Sequence, residues 1–367
     1  MVGVVFGGPS PEHDISILTG LLALRELERA GRSPIGIYWT KSGQFAKVPA
    51  GVEAEGFIDG VPSGSQALEL RLGAEPGFYE VGGRFAKDRR LTVSALILAT
   101  HGGPGEDGTL QGLLDLAELP YTGPSVAGAA LGMDKWAFSS VLLAAGLPSL
   151  PRALLSIDTQ TLPFAGPYIL KPRFGGSSIG IDVVADLSTA KARLGANPHL
   201  NRGCVVEPYR PALHDVQIAV RTYPDLALSA IEKPLRSSAD REILDYKDKY
   251  VGGEGMVSAP RELPANIPDA RAEQIRSAAY DVARLALVRG VARIDFLANE
   301  DELYVNEVNT IPGSLSKHLF IDPPLSFLAL LDDLVAEATN RPAHQYSSTG
   351  ADGVVLRSAT SIASKLA

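Results

Sequence analysis

The sequence predicts an α/β protein of several domains, and three observations carry that prediction. Its 367 residues exceed what one small core serves and suit two or three domains. Twice, a short apolar run opens into a glycine-rich loop and then a helical pattern. Val2 to Phe6 precedes Gly7-Gly8-Pro9-Ser10, and Leu91 to Thr100 precedes His101-Gly-Gly-Pro-Gly105-Glu106-Asp107-Gly108. Strand, loop, helix in that order begins an open α/β sheet, whose ligands sit at strand C-terminal ends. Finally, Val291 to Ala298 and Leu303 to Val308 read as two strands joined by the polar turn Asn299-Glu300-Asp301-Glu302.

The elements follow in order. Ile17, Leu21, Leu24 and Leu27 share one face of a helix ending near Gly31, and Pro34 to Trp39 reads as a strand. Residues 49–90, rich in Gly, Pro and charge, give no firm pattern. A helix is expected from about Thr109 to Glu118, a boundary at Pro120-Tyr-Thr-Gly-Pro124, and helical patterns up to Gly146-Leu-Pro148. Tyr168 to Lys171 reads as a strand running into Pro172-Arg-Phe-Gly-Gly-Ser-Ser178. Ile179 to Val184 and Cys204 to Glu207 read as further strands, with a helix near Leu187 to Gly195 between them. Val216 to Arg221 and Leu226 to Glu232 continue the β pattern. Residues 236–260 are polar and aperiodic. Ala270 to Arg289 forms a long amphipathic helix that Gly290 closes. Leu325 to Asn340 is the last helix, and residues 343–367, enriched in Ser and Thr, read as weakly ordered. No internal repeat is visible.

Composition narrows the function. Hydrophobic content of 45% with 21% charged residues describes an ordinary globular chain. A net charge of −8 argues against non-specific nucleic-acid binding. Cys204 is the only cysteine, so no intrachain disulfide forms. No apolar run reaches membrane-spanning length, and Met1-Val-Gly-Val-Val lacks the basic start of a signal peptide. These readings predict a soluble cytoplasmic protein with neither nucleic-acid nor membrane partners.

The chemistry concentrates in the hairpin. Arg293 and Asp295 are spaced i, i+2, as are Glu307 and Asn309, and in an extended strand that spacing puts both members on one face. In register, the two strands would bring all four together. Three hard oxygen donors beside a guanidinium suit Mg²⁺ carrying phosphate; a solvated, charged sheet face is the plainer alternative. Gly175-Gly176-Ser177-Ser178 after Lys171 can wrap phosphate with backbone N–H groups, or simply turn a hairpin. Lys135 alone reads as a surface lysine, Lys249-Tyr250 as part of a solvated loop, His101 as a structural loop histidine, and Glu12-His13-Asp14 as a helix cap.

The order of these motifs changes their weight. Phe6-Gly-Gly-Pro-Ser-Pro-Glu12-His-Asp-Ile-Ser16, His101-Gly with Gly105-Glu-Asp-Gly-Thr-Leu-Gln-Gly112, Leu119-Pro-Tyr-Thr-Gly123 and Met133-Asp-Lys135 come first. Ile169-Leu-Lys-Pro172, Gly176-Ser-Ser-Ile-Gly180, Asp248-Lys-Tyr250, Arg293-Ile-Asp-Phe296 and Asn306-Glu-Val-Asn-Thr-Ile-Pro-Gly313 follow. The set resembles the D-alanine–D-alanine ligase family of the ATP-grasp superfamily, across nearly the whole chain.

That resemblance implies a three-domain ATP-grasp fold, with ATP between the central and C-terminal domains. The expected divisions are 1–124, 125–215 and 216–345, with a tail at 346–367. It implies an ATP-dependent ligase that joins two small amino-acid substrates through an acyl phosphate, in peptidoglycan precursor synthesis, as a homodimer. Lys135 and Lys171 would contact ATP phosphates, Glu207 would lie on the adenine side, and Asp215 would meet the ribose. Asp295, Glu307 and Asn309 would bind two Mg²⁺ ions, with Mn²⁺ as a substitute. Glu12 would hold the first amino acid's ammonium with Ser177 and Tyr250, and Lys249 would approach the transferred phosphate. Arg293 and the Gly313 N–H would stabilise the tetrahedral oxyanion, and His101 would face substrate. Residues 236–260 would act as a lid.

The chain also departs from the family. Pro208 stands where a lysine is common, and Phe174-Gly175 replace a charged pair. His318, beside Lys317, takes the place of the serine that binds the second substrate's carboxylate. A different acceptor, joined by a ligase of the same fold, is therefore the second reading, and a nucleotide-binding protein without ligation is the third.

Overall fold

The computed structural model describes residues 1–83, 86–235, 260–344, 346–359 and 361–365. Its first sheet holds β1 (Val2–Gly7), β2 (Ile35–Trp39), β3 (Phe45–Lys47), β4 (Gln66–Arg71), β5 (Gly77–Glu80), β6 (Arg89–Arg90) and β7 (Ala95–Leu98). They lie in the order β6-β5-β4-β3-β2-β1-β7. β1 pairs in parallel with β2 and with β7, and helix α1 (His13–Arg29) makes the crossover from β1 to β2. The segment without a firm sequence pattern supplies the antiparallel β4, β5 and β6. Only Ala95–Leu98 of the apolar run from Leu91 to Thr100 is strand; Thr100 and His101, both buried, already belong to the loop.

After α2 (Thr109–Leu116), helices α3 (Val126–Met133) and α4 (Lys135–Ala144) lead to a four-stranded antiparallel sheet. Its strands are β8 (Ala153–Leu155), β9 (Tyr168–Pro172), β10 (Asp182–Val184) and β11 (Cys204–Pro208), and α5 (Leu187–Ala196) packs on it. A five-stranded sheet follows in the order β14-β13-β12-β15-β16. It is built from β12 (His214–Arg221), β13 (Ala227–Pro234), β14 (Arg261–Glu262), β15 (Val291–Ala298) and β16 (Leu303–Asn309). Helix α6 (Asp269–Leu285) covers the face of this sheet that carries Ile294 and Phe296, together with Phe138 and Leu142 of α4. Helices α7 (Phe327–Asn340) and α8 (Val354–Ser358) close the chain.

Each sheet has its own apolar core. The chain leaving β16 matters most for the site. Ile311, Leu315 and Leu319, with Leu330, Leu331 and Leu334 of α7, join the core of the first sheet. The loop after β16 is thereby anchored at its start by the third sheet and along its length by the first.

Three local expectations need correcting. The strand expected from Ile179 to Val184 shrinks to Asp182–Val184, because Ser177 and Ser178 adopt left-handed φ of 52° and 57° and Ile179 N–H bonds Gly176 O (3.1 Å) in a turn. The helix expected to reach Arg289 stops at Leu285. Leu287 (φ 52°) ends it: Val288 N–H bonds Ala283 O (2.9 Å) and Leu287 N–H bonds Arg284 O (3.3 Å), the double bond of a Schellman cap. Gly290 serves close approach instead, since a Cβ there would lie 2.9 Å from Gly123 N. The division expected after residue 215 falls inside β12, and the sheets change between Pro208 and His214.

Phe296 is fully buried beneath the hairpin. Phe296→Ala should lower unfolding free energy by about 3–5 kcal/mol in a denaturant titration; a loss below about 1 kcal/mol would show that the hairpin does not depend on this packing.

Candidate functional site

The β15–β16 register places Arg293 opposite Asn309 and Asp295 opposite Glu307. Alternation then puts these four side chains on the face away from Ile294 and Phe296. Arg293 Nε and Nη2 donate to the two Asp295 carboxylate oxygens at 2.7 and 2.8 Å, and Asn309 Nδ2 donates to Asp295 Oδ2 at 3.1 Å. Past this row the register shifts, because Phe296 pairs with Val305 and Asn306 is the extra residue of a bulge. The bulge lets Asn306 reach sideways, where its Oδ1 accepts from Lys171 Nζ (3.2 Å) and its backbone carbonyl from Arg152 Nη2 (2.6 Å).

Two cavities meet along this face. The first, of about 960 Å³ including its open mouth, lies between the second and third sheets and is lined by Lys135, Lys171, Glu207, Tyr209, Asn306 and the Gly175–Ser178 loop. The second, of about 1110 Å³, is lined by Glu12, His101, Glu106, Arg293, Gly313 and His318. Ser177, Asp215, Asp295 and Glu307 line both.

The cations of the first cavity are held by protein carboxylates. Asp134 caps α4 by accepting from Trp136 N–H and Ala137 N–H (3.1 Å each), which sets Lys135 at the helix start. Lys135 Nζ then donates to Gly175 O (2.6 Å) and pairs with Glu307 (3.1 Å). Glu207, fully buried, accepts from Arg152 Nε (2.6 Å) and Lys171 Nζ (2.8 Å). Burial alone would push its carboxyl up, but Arg152 and Lys171 outweigh it and hold it below the ordinary range. Glu207 therefore positions Lys171. Two lysines and loop N–H groups at one end of a cavity suit a polyphosphate.

In the second cavity Glu12 stands at the start of α1 but makes no side-chain cap bond; Ser177 Oγ donates to its carboxylate instead, across the cleft. Gly102 and Gly176 permit this, since a Cβ at either would come within 2.3 and 3.0 Å of Glu12 Oε2. His101 lines the second cavity, and both of its ring nitrogens are engaged by protein groups. Its Nδ1–H donates to Ile311 O (2.7 Å), which leaves Nε2 to accept from the Thr19 hydroxyl (2.9 Å). Thr19 Oγ1 in turn accepts from Ser314 N–H (3.1 Å). Glu106 accepts from Ile311 N–H (3.0 Å), Thr310 Oγ1 (3.3 Å) and Gly102 N–H (3.0 Å). Helix α1 and the loop after β7 thus clamp both sides of Gly313. Burial, and then the charge of Glu12, raises the Glu106 carboxyl to about 7.

Most of the residues picked out in the sequence therefore converge, with exceptions. Lys317 does not line either cavity; its ammonium rests over the Phe327 ring, 5.1 Å from the centroid. His318 does face the second cavity, with Nε2 3.4 Å from Glu232. Lys249, Tyr250 and the expected lid lie outside the described residues. Arg152, Glu232 and Arg261 belong to the site without any sequence signal, whereas Glu106 and Asn306 stand in the sequence motifs but carry no expected role there. Among the described residues no three His, Cys, Asp or Glu side chains cluster as a metal site. Asp295 and Glu307 with the Asn309 amide fit an ion that takes only one or two carboxylates, keeps its waters and shares a substrate phosphate.

Comparison with known proteins gives a consistent result. The family model described as D-ala D-ala ligase N-terminus matches residues 1–124, and that described as D-ala D-ala ligase C-terminus matches residues 151–336. A D-alanine–D-alanine ligase of Bradyrhizobium is 31% identical over 357 residues, covering 93% of this chain and 96% of the relative. One from Mycobacterium ulcerans is 32% identical, covering 93% and 95%. Among solved structures, the VanG D-Ala:D-Ser ligase of Enterococcus faecalis superposes with a TM-score of 0.74 at 24% identity, covering 92% of this chain and 98% of that one. The D-alanyl-alanine synthetase A of Vibrio cholerae gives 0.75 at 21%, covering 93% and 98%. The shared fold is ATP-grasp.

The clamp makes a prediction about pH. Burial first, and then the charge of Arg293, lowers the His101 pKa from 6.5 to about 4 despite its bond to Ile311. A depressed folded-state value means that this group's contribution to stability is complete above about 6.5 and is lost as pH falls toward about 4. The His101 ring should titrate near 4 by NMR, and His101→Gln should flatten the stability curve over that window. Ring protonation above pH 6 would contradict the neutral clamp.

Proposed function

This chain belongs to the D-alanine–D-alanine ligase family of ATP-dependent ligases, and we propose that it activates one amino-acid carboxylate with ATP and joins it to the amine of a second. The observation that carries this reading is the Arg293–Asp295–Glu307–Asn309 face, set where the two cavities meet. The first cavity takes the nucleotide, with Lys135 and Lys171 toward its phosphates and Asp215 toward its ribose. Glu207 acts there by holding Lys171 and Arg152. Asp295, Glu307 and Asn309 would hold Mg²⁺, or Mn²⁺ in its place, which when bound offsets phosphate charge.

The second cavity takes the amino acids. Glu12, braced by Ser177, receives the first ammonium, and D-alanine is the substrate suggested by the family. Its carboxylate oxygen attacks the γ-phosphorus, ADP leaves, and an acyl phosphate forms. The second amine then attacks the acyl carbon, gives up a proton, and phosphate departs as the amide forms. Arg293 and the Gly313 N–H face the oxyanion of that step, a class of contact contributing about 3–4 kcal/mol per donor. The clamp on Ile311 and Ser314 fixes where the Gly313 donor points. The product would serve peptidoglycan precursor synthesis, and the reading as a cytoplasmic homodimer rests on the family alone. The three sheets, with the family matches to 1–124 and 151–336, support reading the chain as three domains. A different acceptor is the second reading, favoured by His318 and its neighbours Glu232 and Arg261.

Phosphate release from ATP, followed with product mass across D- and L-amino acids, tests the function; no release with any pair would refute it. Glu307→Gln should lower turnover about 100-fold or more while the melting temperature holds. Wild-type turnover in that variant would remove Glu307 from the reaction.

A further inference from the structure

One row of the third sheet extends beyond the residues used above. Glu307 pairs with Asp295, Asp295 with Gln217 of β12, and Gln217 with Glu232 of β13. Directly opposed residues share a face, so Glu232 points the same way as the reactive set, two strand spacings or about 10 Å from the Asp295 strand. Glu232 lines the second cavity but not the first, and its side chain is only 5% exposed. Arg261 Nη1 reaches its Oε1 at 3.0 Å and His318 Nε2 its Oε2 at 3.4 Å.

We propose that Glu232 is a specificity-determining residue, whose buried carboxylate selects an acceptor amino acid carrying a hydroxyl or ammonium on its side chain. The proposal rests on the ligase reading above. An apolar acceptor would be served by an apolar wall, without the desolvation cost of a charge. His318, Arg261 and Arg293 together outweigh that cost and keep Glu232 ionised. An ionised carboxylate only accepts hydrogen bonds, and each oxygen offers about two sites, of which Arg261 takes one on Oε1 and His318 one on Oε2. The group that completes it must be a donor. Glu232, Arg293 and Gly313 line one cavity, so an acceptor whose amine faces Arg293 and Gly313 lies in the space that the Glu232 carboxylate borders. A site built to bind a donor discriminates against acceptors that lack one.

The experiment uses the full-length protein with saturating ATP and Mg²⁺, D-alanine as first substrate, and four acceptors of similar size. These are D-alanine, D-2-aminobutyrate, D-serine and D-2,3-diaminopropionate, with product identified by mass. The two donor-bearing acceptors should exceed D-2-aminobutyrate in kcat/KM by about 10- to 100-fold, the range of a charge-assisted hydrogen bond. Glu232→Gln should cut the diaminopropionate advantage about 10-fold and the serine advantage less, with the KM for ATP unchanged. Equal kcat/KM for D-serine and D-2-aminobutyrate in the wild type overturns the proposal, and that ratio decides even where the variant fails to fold. A uniform loss over all four acceptors in Glu232→Gln also overturns it, since Glu232 would then merely hold Arg261 and His318. Absence of phosphate release with every acceptor overturns the ligase reading itself.

Discussion

Pairing of Asp295 with Glu307 and of Arg293 with Asn309 is the constraint on which the site depends. Side chains alternate along a strand, so a slip of one residue would send all four into the apolar layer and bring Ile294 and Phe296 to the cavity. The fully buried Ile294 and Phe296, packed under α6 and α4, make that slip costly. The bulge at Asn306 ends the regular ladder where the first cavity, with Lys135 and Lys171 in its wall, begins. Without the extra residue, Asn306 would share the pleat and could not span Lys171 and Arg152.

The electrostatics repeat this logic at longer range. Lys171, Glu207 and Arg152 come from three separate segments, yet their charges meet in a buried group. Buried ion pairs are weak evidence for stability, but they fix geometry, because a misplaced partner leaves a charge stranded. Here the geometry fixed is that of a lysine ammonium at the edge of a cavity. The His101–Thr19–Ser314 chain does the same with neutral groups, and its direction is set by the Ile311 carbonyl, which can only accept.

Much of this was legible in the sequence, for identifiable reasons. The i, i+2 spacing in two adjacent strands specifies a shared face without tertiary information, so Arg293, Asp295, Glu307 and Asn309 could be grouped directly. The glycines beside Glu12 and Ser177 carried the family pattern, although their reason, room for a carboxylate across the cleft, is visible only in three dimensions. Arg152 and Glu232 could not be found this way. Neither has a local spacing signal, and each acquires a role from residues distant in the chain. Lys317 and His318 looked like a pair because they are adjacent. They lie in a 3₁₀ turn, where neighbours diverge by about 120°, so one faces Phe327 and the other the cavity.

The turn holding them begins with Ser314, Leu315 and Ser316 at φ of 48°, 50° and 51°, three successive left-handed residues, none of them glycine. Such a conformation costs roughly 1–2 kcal/mol per residue for an L side chain, and it persists because Leu315 and Leu319 are sunk in the core of the first sheet. Glycine at position 314 would remove part of that cost, but it would add freedom to the unfolded chain and loosen the peptide beside the Gly313 amide. Apolar packing beneath the turn therefore holds a strained backbone in place beside an amide that borders the second cavity.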